Sequence, residues 1–399
     1  MKFSSVELFA ICALALFFGE WLEQKFAFIK KYCLPKPVLA GLGLALLVFA
    51  IEKMTGLNLE FDFAPQTPLM VAFFATLGFA ASWKQLRMGG KAVIHFLLLC
   101  IGLLLLQNLI GIGVALGLGE SPLFGVMVSS VSLVGGPGTS LAFAPLFEES
   151  GLQGAASIGL ASAMGGIFLA GLWGGPVSAF LIRRNNLQNN GELIGLSENS
   201  DHEKLSMKFT ESGLVWSLFK SFGIIFLVMM VGGWVSQGLI AVGLTLPGYI
   251  GAMIAASFVR NLDDYKGIFK LNVNFLEVLG SMALSFFIVM SLLAIDWSKL
   301  SGLAGPLLIS LSIQGIVIML ISIWVIFPMM GKDYDSAVIA GGTVGFMLGT
   351  TANAMANMQA VTKQFGSTTR AFLVVPLVGA CFIDFVNAAV ISILVNYLK

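Results

Sequence analysis

Gly135-Gly136-Pro137-Gly138-Thr139 and the run from Gly345 through Gly349-Thr350-Thr351-Ala352 to Asn353 interrupt two otherwise apolar segments, 122–147 and 335–361. A helix broken at its middle by such residues can enter and leave a membrane by the same face. It then forms a re-entrant hairpin whose irregular tip is buried in protein or lines a cavity. The rest of the chain fits that setting: of 399 residues 57% are hydrophobic and only 11% charged, with a mean hydropathy of +0.93. A soluble domain carries about 25% charged residues, so the composition excludes a water-soluble enzyme and reads as a polytopic membrane protein. A net charge of +1 argues against a nucleic-acid partner. Cys12, Cys33, Cys100 and Cys381 stand singly with no C-x-x-C, and two histidines, His95 and His202, leave little for metal or triad chemistry.

Stretches long enough to span, about 20 residues each, run near 6–24, 37–55, 68–84, 91–117 and 154–182, then 213–241, 244–260, 274–295, 302–329 and 370–397. The first has no small-residue cleavage pattern and reads as a helix, not a signal peptide. Glu20 lies near its cytoplasmic end, where nearby lysines can pair with it. With both hairpins re-entrant and the N-terminus outside, only Lys2, Lys53, Lys299 and Lys399 of the 22 basic residues face outward, as the positive-inside rule requires. If both hairpins spanned, that bias would vanish. Letting only the second span leaves the bias nearly intact, so its re-entrant character rests on a repeat.

Trp83 precedes Gly135, and Trp297 precedes Gly349, by the same 52 residues, so the two interruptions share an offset of 214. Five spans per half is an odd number, which inverts the second half relative to the first, as in secondary transporters. The expected fold is an all-α polytopic membrane protein with ten transmembrane helices in two inverted repeats, each with a re-entrant hairpin. The first repeat is 1–182 and the second 213–399. The polar segment 183–212 reads as a cytoplasmic linker, and both termini are expected to be extracytoplasmic.

Glycine- and hydroxyl-rich tips expose backbone N–H groups at helix N-termini, where the dipole favours an anion. The candidates for holding a substrate are Gly136, Gly138, Thr139 and Ser140 in the first tip and Thr350, Thr351 and Asn353 in the second, with Asn357 and Gln359 farther along. Single glycine pairs often serve only close helix packing; two interruptions at matching repeat positions point beyond that. Asp384 is the one carboxylate deep in an expected span, at a cost of at least about 2.5 kcal/mol on insertion scales. Asn387 shares its helical face. With Gln107, Asn108 and Ser132 these are the candidate sodium ligands. No basic residue sits at the centre of a span, so an anionic substrate has to be held by amides, hydroxyls and a cation.

The strings Pro68-Leu-Met-Val-Ala-Phe-Phe-Ala-Thr-Leu-Gly78, Gln107-Asn-Leu-Ile-Gly-Ile-Gly113, Gly135-Gly-Pro-Gly-Thr139, Ala356-Asn-Met-Gln-Ala360, Phe372-Leu-Val-Val-Pro-Leu-Val-Gly-Ala380 and Ile383-Asp-Phe-Val-Asn387 together resemble the bacterial sodium/glutamate symporter family over nearly the whole chain. The resemblance implies a homodimer in the bacterial inner membrane with ten spans and two pore-loop hairpins. It also implies an elevator mechanism and uptake of glutamate with sodium as coupling ion, without another cofactor. Two positions depart from the family pattern: Pro137 stands where a histidine is common, and Thr350-Thr351-Ala352 where Ala-Thr-Pro is common. Symport of a dicarboxylate or hydroxy acid, or sodium/proton antiport through Asp384, are the alternatives. An intramembrane protease would need a serine with a buried histidine or two aspartates, and a channel a continuous polar lining; neither is present in the sequence.

Overall fold

The computed structural model describes residues 2–26, 29, 34–88, 90–188, 211–241, 248–269, 271–295 and 303–398. Most of the expected linker (189–210), the start of the 244–260 span and Trp297 lie outside the described residues. The first half comprises α1 (Ser5–Lys25), α2 (Lys36–Thr55), α3 (Gln66–Ala80), α4 (Trp83–Met88), α5 (Gly90–Gly117), α6 (Pro122–Val126), α7 (Gly136–Glu149) and α8 (Ala155–Arg184). The second half comprises α9 (Glu211–Ala241), α10 (Gly248–Lys266), α11 (Val273–Leu293), α12 (Ala304–Ile321), α13 (Phe327–Met330), α14 (Tyr334–Leu348), α15 (Thr351–Phe365), α16 (Thr369–Cys381) and α17 (Ile383–Leu398). Helices are what such a sequence must form, because hydrocarbon offers backbone N–H and C=O groups no other partner.

Among the described residues nine helices are long and apolar enough to cross a membrane. The expected tenth, α10, falls short of that composition because its last turns carry Arg260, Asp263, Asp264 and Lys266. Those charges serve a junction. The Arg260 guanidinium pairs with Asp264 at 3.1 Å, and Asn261 Nδ2 donates to Ala81 O at 2.9 Å while its Oδ1 accepts from Trp83 N. The break between α3 and α4, inside the expected span 68–84, is thereby capped by α10. Glu20 pairs with Lys36, which also meets Glu23.

The helices sort into two packed groups. One is α1, α2, α3, α9, α10 and α11, built around small clusters such as Leu8, Cys12, Ala40 and Val289 and around Ala75, Phe79, Val228 and Ala256. The other is α5, α8, α12, α16, α17 and the two interrupted segments, and it holds most of the buried core. α7, α16 and α17 form the seam between the groups, against α11, α3 and α10.

Both interrupted segments fold back on themselves. In the second, Gly345 abuts Ala354 and Gly342 abuts Met358, so α14 and α15 lie antiparallel. The Tyr334 hydroxyl donates to Gly366 O, bringing the two ends of the segment together. Its base is tied further by Arg370, which meets Asp333 at 3.0 Å and donates to Met330 O at 2.7 Å. In the first, Met127 and Ser140 converge on Gly159 from opposite arms. Two expected single helices are not regular throughout. The 302–329 span contains a π-turn at Ser322–Ile326. The 370–397 span is interrupted at Phe382, where φ is −114°, although the bonds from Phe382 N to Val378 O and from Val386 N to Phe382 O run through that point.

Close glycine contacts hold the second group together. A Cβ on Gly111 would lie 1.8 Å from Ser129 Oγ and 2.5 Å from Gly125 O, whereas a Cβ on Gly113, two residues along the same helix, would meet nothing within 4 Å. Gly111→Ala is therefore expected to destabilise the protein by about 1–3 kcal/mol, and Gly113→Ala to leave it unchanged. Melting temperatures of the purified variants in detergent check this; equal melting of the two would refute the packing.

Candidate functional site

The tips of the two hairpins meet. Gly136 opens α7 at φ +67°, a left-handed conformation that glycine adopts without strain. A Cβ placed there would lie 3.4 Å from Thr350 Cγ2. Thr350 is the N-cap of α15, following Gly349. Two half-helix N-termini, those of α7 and α15, thus converge with their unpaired N–H groups and the positive ends of their dipoles. Thr139 lies one turn into α7, buried, with no hydrogen-bond partner for its hydroxyl among the described residues. The Thr350 hydroxyl donates to Asn353 Oδ1 at 2.8 Å.

The first arms end in the opposite polarity. After α6 the chain makes a π-turn, Met127–Val131, inside which Ser129 leaves helical geometry at φ −105°, ψ −120°. α14 ends at Leu348. Their last carbonyls carry the negative ends of the dipoles, and a buried network of neutral polar groups fills the space between them. Gln107 Nε2 donates to Met347 O at 3.1 Å, and Gln314 Nε2 donates to Gln107 O at 2.9 Å and to Ser129 Oγ at 2.8 Å. Asn108 and Ser130 exchange hydrogen bonds at 2.8 and 3.1 Å, and Asn387 Nδ2 donates to Ser130 O at 2.9 Å.

The residues singled out from sequence divide accordingly. Gly136, Thr139, Thr350 and Asn353 gather at the tips, with Thr351 turned toward Gly379 of α16 and Gly138 toward Leu284 of α11. The Ser140 hydroxyl is engaged within its own hairpin, donating to Gly136 O and Ser132 Oγ, and Ser132 donates to Met127 O. Asn357 sits two turns below the tip, where its Nδ2 donates to Ala170 O at 2.9 Å and packs hairpin onto α8. Gln359 is exposed. Neither reaches the tips, because the helical rise carries them away along α15. Gln107, Asn108 and Asn387 join the buried network. Asp384 stands half-buried one turn from Asn387, just past the interruption at Phe382, and among the described residues no side chain pairs with it.

Sequence reasoning passed over Gln314, Ser129 and Ser130. Gln314 had a signal of the same kind as Gln107, a lone amide centred in an apolar run. Ser129 and Ser130 had none, because a serine in a membrane helix ordinarily bonds to its own backbone.

The profile of the family described as "Sodium/glutamate symporter" matches residues 1–367. The chain is 39% identical over 383 residues to a sodium/glutamate symporter of Escherichia coli K12, covering 95% of this chain and 94% of that one. It is 36% identical over 395 residues to the sodium/glutamate symporter of Haemophilus influenzae, covering 98% and 97%. These relatives are named as transporters and not as enzymes. The hairpins, their converging tips and the likeness along the chain lead to one conclusion: the protein belongs to the sodium/glutamate symporter family.

Proposed function

We propose that this protein takes up L-glutamate, or a closely related acidic amino acid, together with sodium across the bacterial cytoplasmic membrane. The observation that carries the reading is the meeting of two half-helix N-termini at Gly136 and Thr350, backed by the family and by the names of the relatives. An acidic amino acid brings carboxylates, which suit amide N–H groups at helix starts. The adjoining helix C-termini and amide oxygens suit a cation. Substrate contacts are assigned to the amides of Gly136, Gly138 and Thr351 and to the side chains of Thr139, Thr350 and Asn353. Asp384, Asn387, Gln107 and Asn108 are assigned to the sodium side, and Ser132 and Ser140 to shaping the first hairpin.

Relative to the family pattern, Pro137 removes one N–H donor from the first tip, and Ala352 adds one at the second, where proline is common. The donors are redistributed between the tips, which leaves the choice among acidic substrates open to the arrangement peculiar to this chain.

The inverted-repeat architecture is supported by helix boundaries that recur at the offset of 214: α8 at Ala155–Arg184 against α16 and α17 at Thr369–Leu398, and α5 starting at Gly90 against α12 starting at Ala304. Ten spans follow if α10 crosses as the partner of α2. The separate packing of the two helix groups supports an elevator-like motion of the second group against the first, which would carry the dimer contact. Alternating access then requires only that the loaded, sodium-bound state slide as a body. The termini lie outside and the linker lies in the cytoplasm.

Three outcomes are expected in proteoliposomes. Radiolabelled L-glutamate accumulates under an inward sodium gradient and ceases to do so when potassium replaces sodium; sodium-independent uptake would refute the coupling. Thr139→Val, which deletes an unpaired hydroxyl isosterically, raises the glutamate KM about tenfold, the value of one hydrogen bond to a charged group, with little change in melting temperature. Asp384→Asn raises the sodium concentration for half-maximal uptake, and an unchanged sodium dependence would remove Asp384 from the ion pathway.

A further inference from the structure

Three buried amide oxygens in the second helix group have no hydrogen-bond partner: Gln107 Oε1, Gln314 Oε1 and Asn387 Oδ1. The side chains carrying them are at most 1% exposed. Their orientation is forced, because each NH2 group meets a main-chain carbonyl, of Met347, Gln107 and Ser130 respectively, and a carbonyl can only accept. Each unpaired oxygen of this kind costs about 1–3 kcal/mol. They come from three different helices, α5, α12 and α17, and two of the side chains reach the break in the first arm of the first hairpin, where Ser129 leaves helical geometry. Gln314 and Asn387 bond to Ser129 and to Ser130 beside it.

We infer that Gln107, Gln314 and Asn387 hold the coupling sodium ion through these oxygens, beside the break at Ser129; the inference rests on the symport reading above. Oxygen donors alone select a hard cation. Neutral amides, without a cluster of carboxylates, suit a monovalent ion better than calcium or magnesium, whose sites are built on carboxylates. Among the described residues no group of three or more histidines, cysteines, aspartates or glutamates could hold a metal. The single charge of Asp384, one turn from Asn387 on the same face, balances one sodium. Asn108 and Ser132 support this site without serving as ligands, because their polar groups are already paired. The site also explains coupling. Gln107 is tied to the end of α14, and Gln314 and Asn387 to the break in the first hairpin, so an ion drawing the three oxygens together joins one hairpin to the other.

The test is thermal melting of the purified full-length protein in detergent, without glutamate, as sodium chloride replaces choline chloride at constant ionic strength. The wild type is expected to gain stability with sodium. Gln314→Met, which keeps the volume and removes the oxygen, is expected to require about tenfold more sodium or to lose the response, the scale seen for weakened metal sites. Gln314→Glu, which keeps an oxygen but loses the NH2 donor, is expected to retain the response. A wild-type sodium response left intact in Gln314→Met overturns this assignment alone, and so does equal loss in Met and Glu variants, which marks the amide as structural. A wild type indifferent to sodium overturns the symport reading with it. Should Gln314→Met not fold, Gln107→Met carries the same expectation.

Discussion

The requirement that no backbone polar group be left without a partner in hydrocarbon governs this structure. Unbroken helices meet it by themselves, and the apolar helices α1, α2, α5, α8 and α11 do so. The breaks at Ser129, Gly135 and Gly349 cannot, and each lies in the second helix group, enclosed by α5, α8 and α12. Exposing them to lipid would cost several kcal/mol for each unsatisfied group. Gathering them in one protein interior turns the cost into chemistry, because the same unpaired groups are the donors and acceptors available to a polar cargo.

The two polarities of a broken helix are kept apart. Second arms begin at Gly136 and Thr351 and present N–H groups. First arms end near Val131 and Leu348 and present carbonyls. One hairpin alone would offer a single pair of such ends. Two hairpins with tips in contact offer an anion-favouring surface beside a cation-favouring one, and the amides of Gln107, Gln314 and Asn387 knit the second surface together. The seam with the first helix group runs past this region, where Gly138 approaches Leu284 and Phe73, so the tips lie close to that seam.

The glycines have two separate roles. Gly136 answers a backbone demand, a positive φ at the start of α7. Gly111 and Gly125, which touch backbone to backbone, answer a packing demand, as small residues do where membrane helices approach closely. That close approach is what brings Asn108 within reach of Ser130. Without it the amides of α5 would be stranded in an apolar bundle.

The sequence by itself determined the membrane setting, nearly all the spans and the location of both hairpins, since hydropathy and glycine clusters are local and periodic. It also marked Gly136, Thr139, Thr350 and Asn353 as tip residues, because position relative to the interruption is itself a sequence property. Asn357 and Gln359, chosen on the same ground, lie down the arm of α15, where helical rise separates residues that adjacency in sequence had grouped. Tertiary structure alone decided that Gly136 faces Thr350, that Gln314 rather than Ser132 completes the amide cluster, and that the last span is interrupted at Phe382 beside Asp384. Each depends on contacts between residues distant along the chain, such as the 207 positions between Gln107 and Gln314. Such contacts are set by how closely neighbouring helices pack, and hydropathy and spacing carry no record of that.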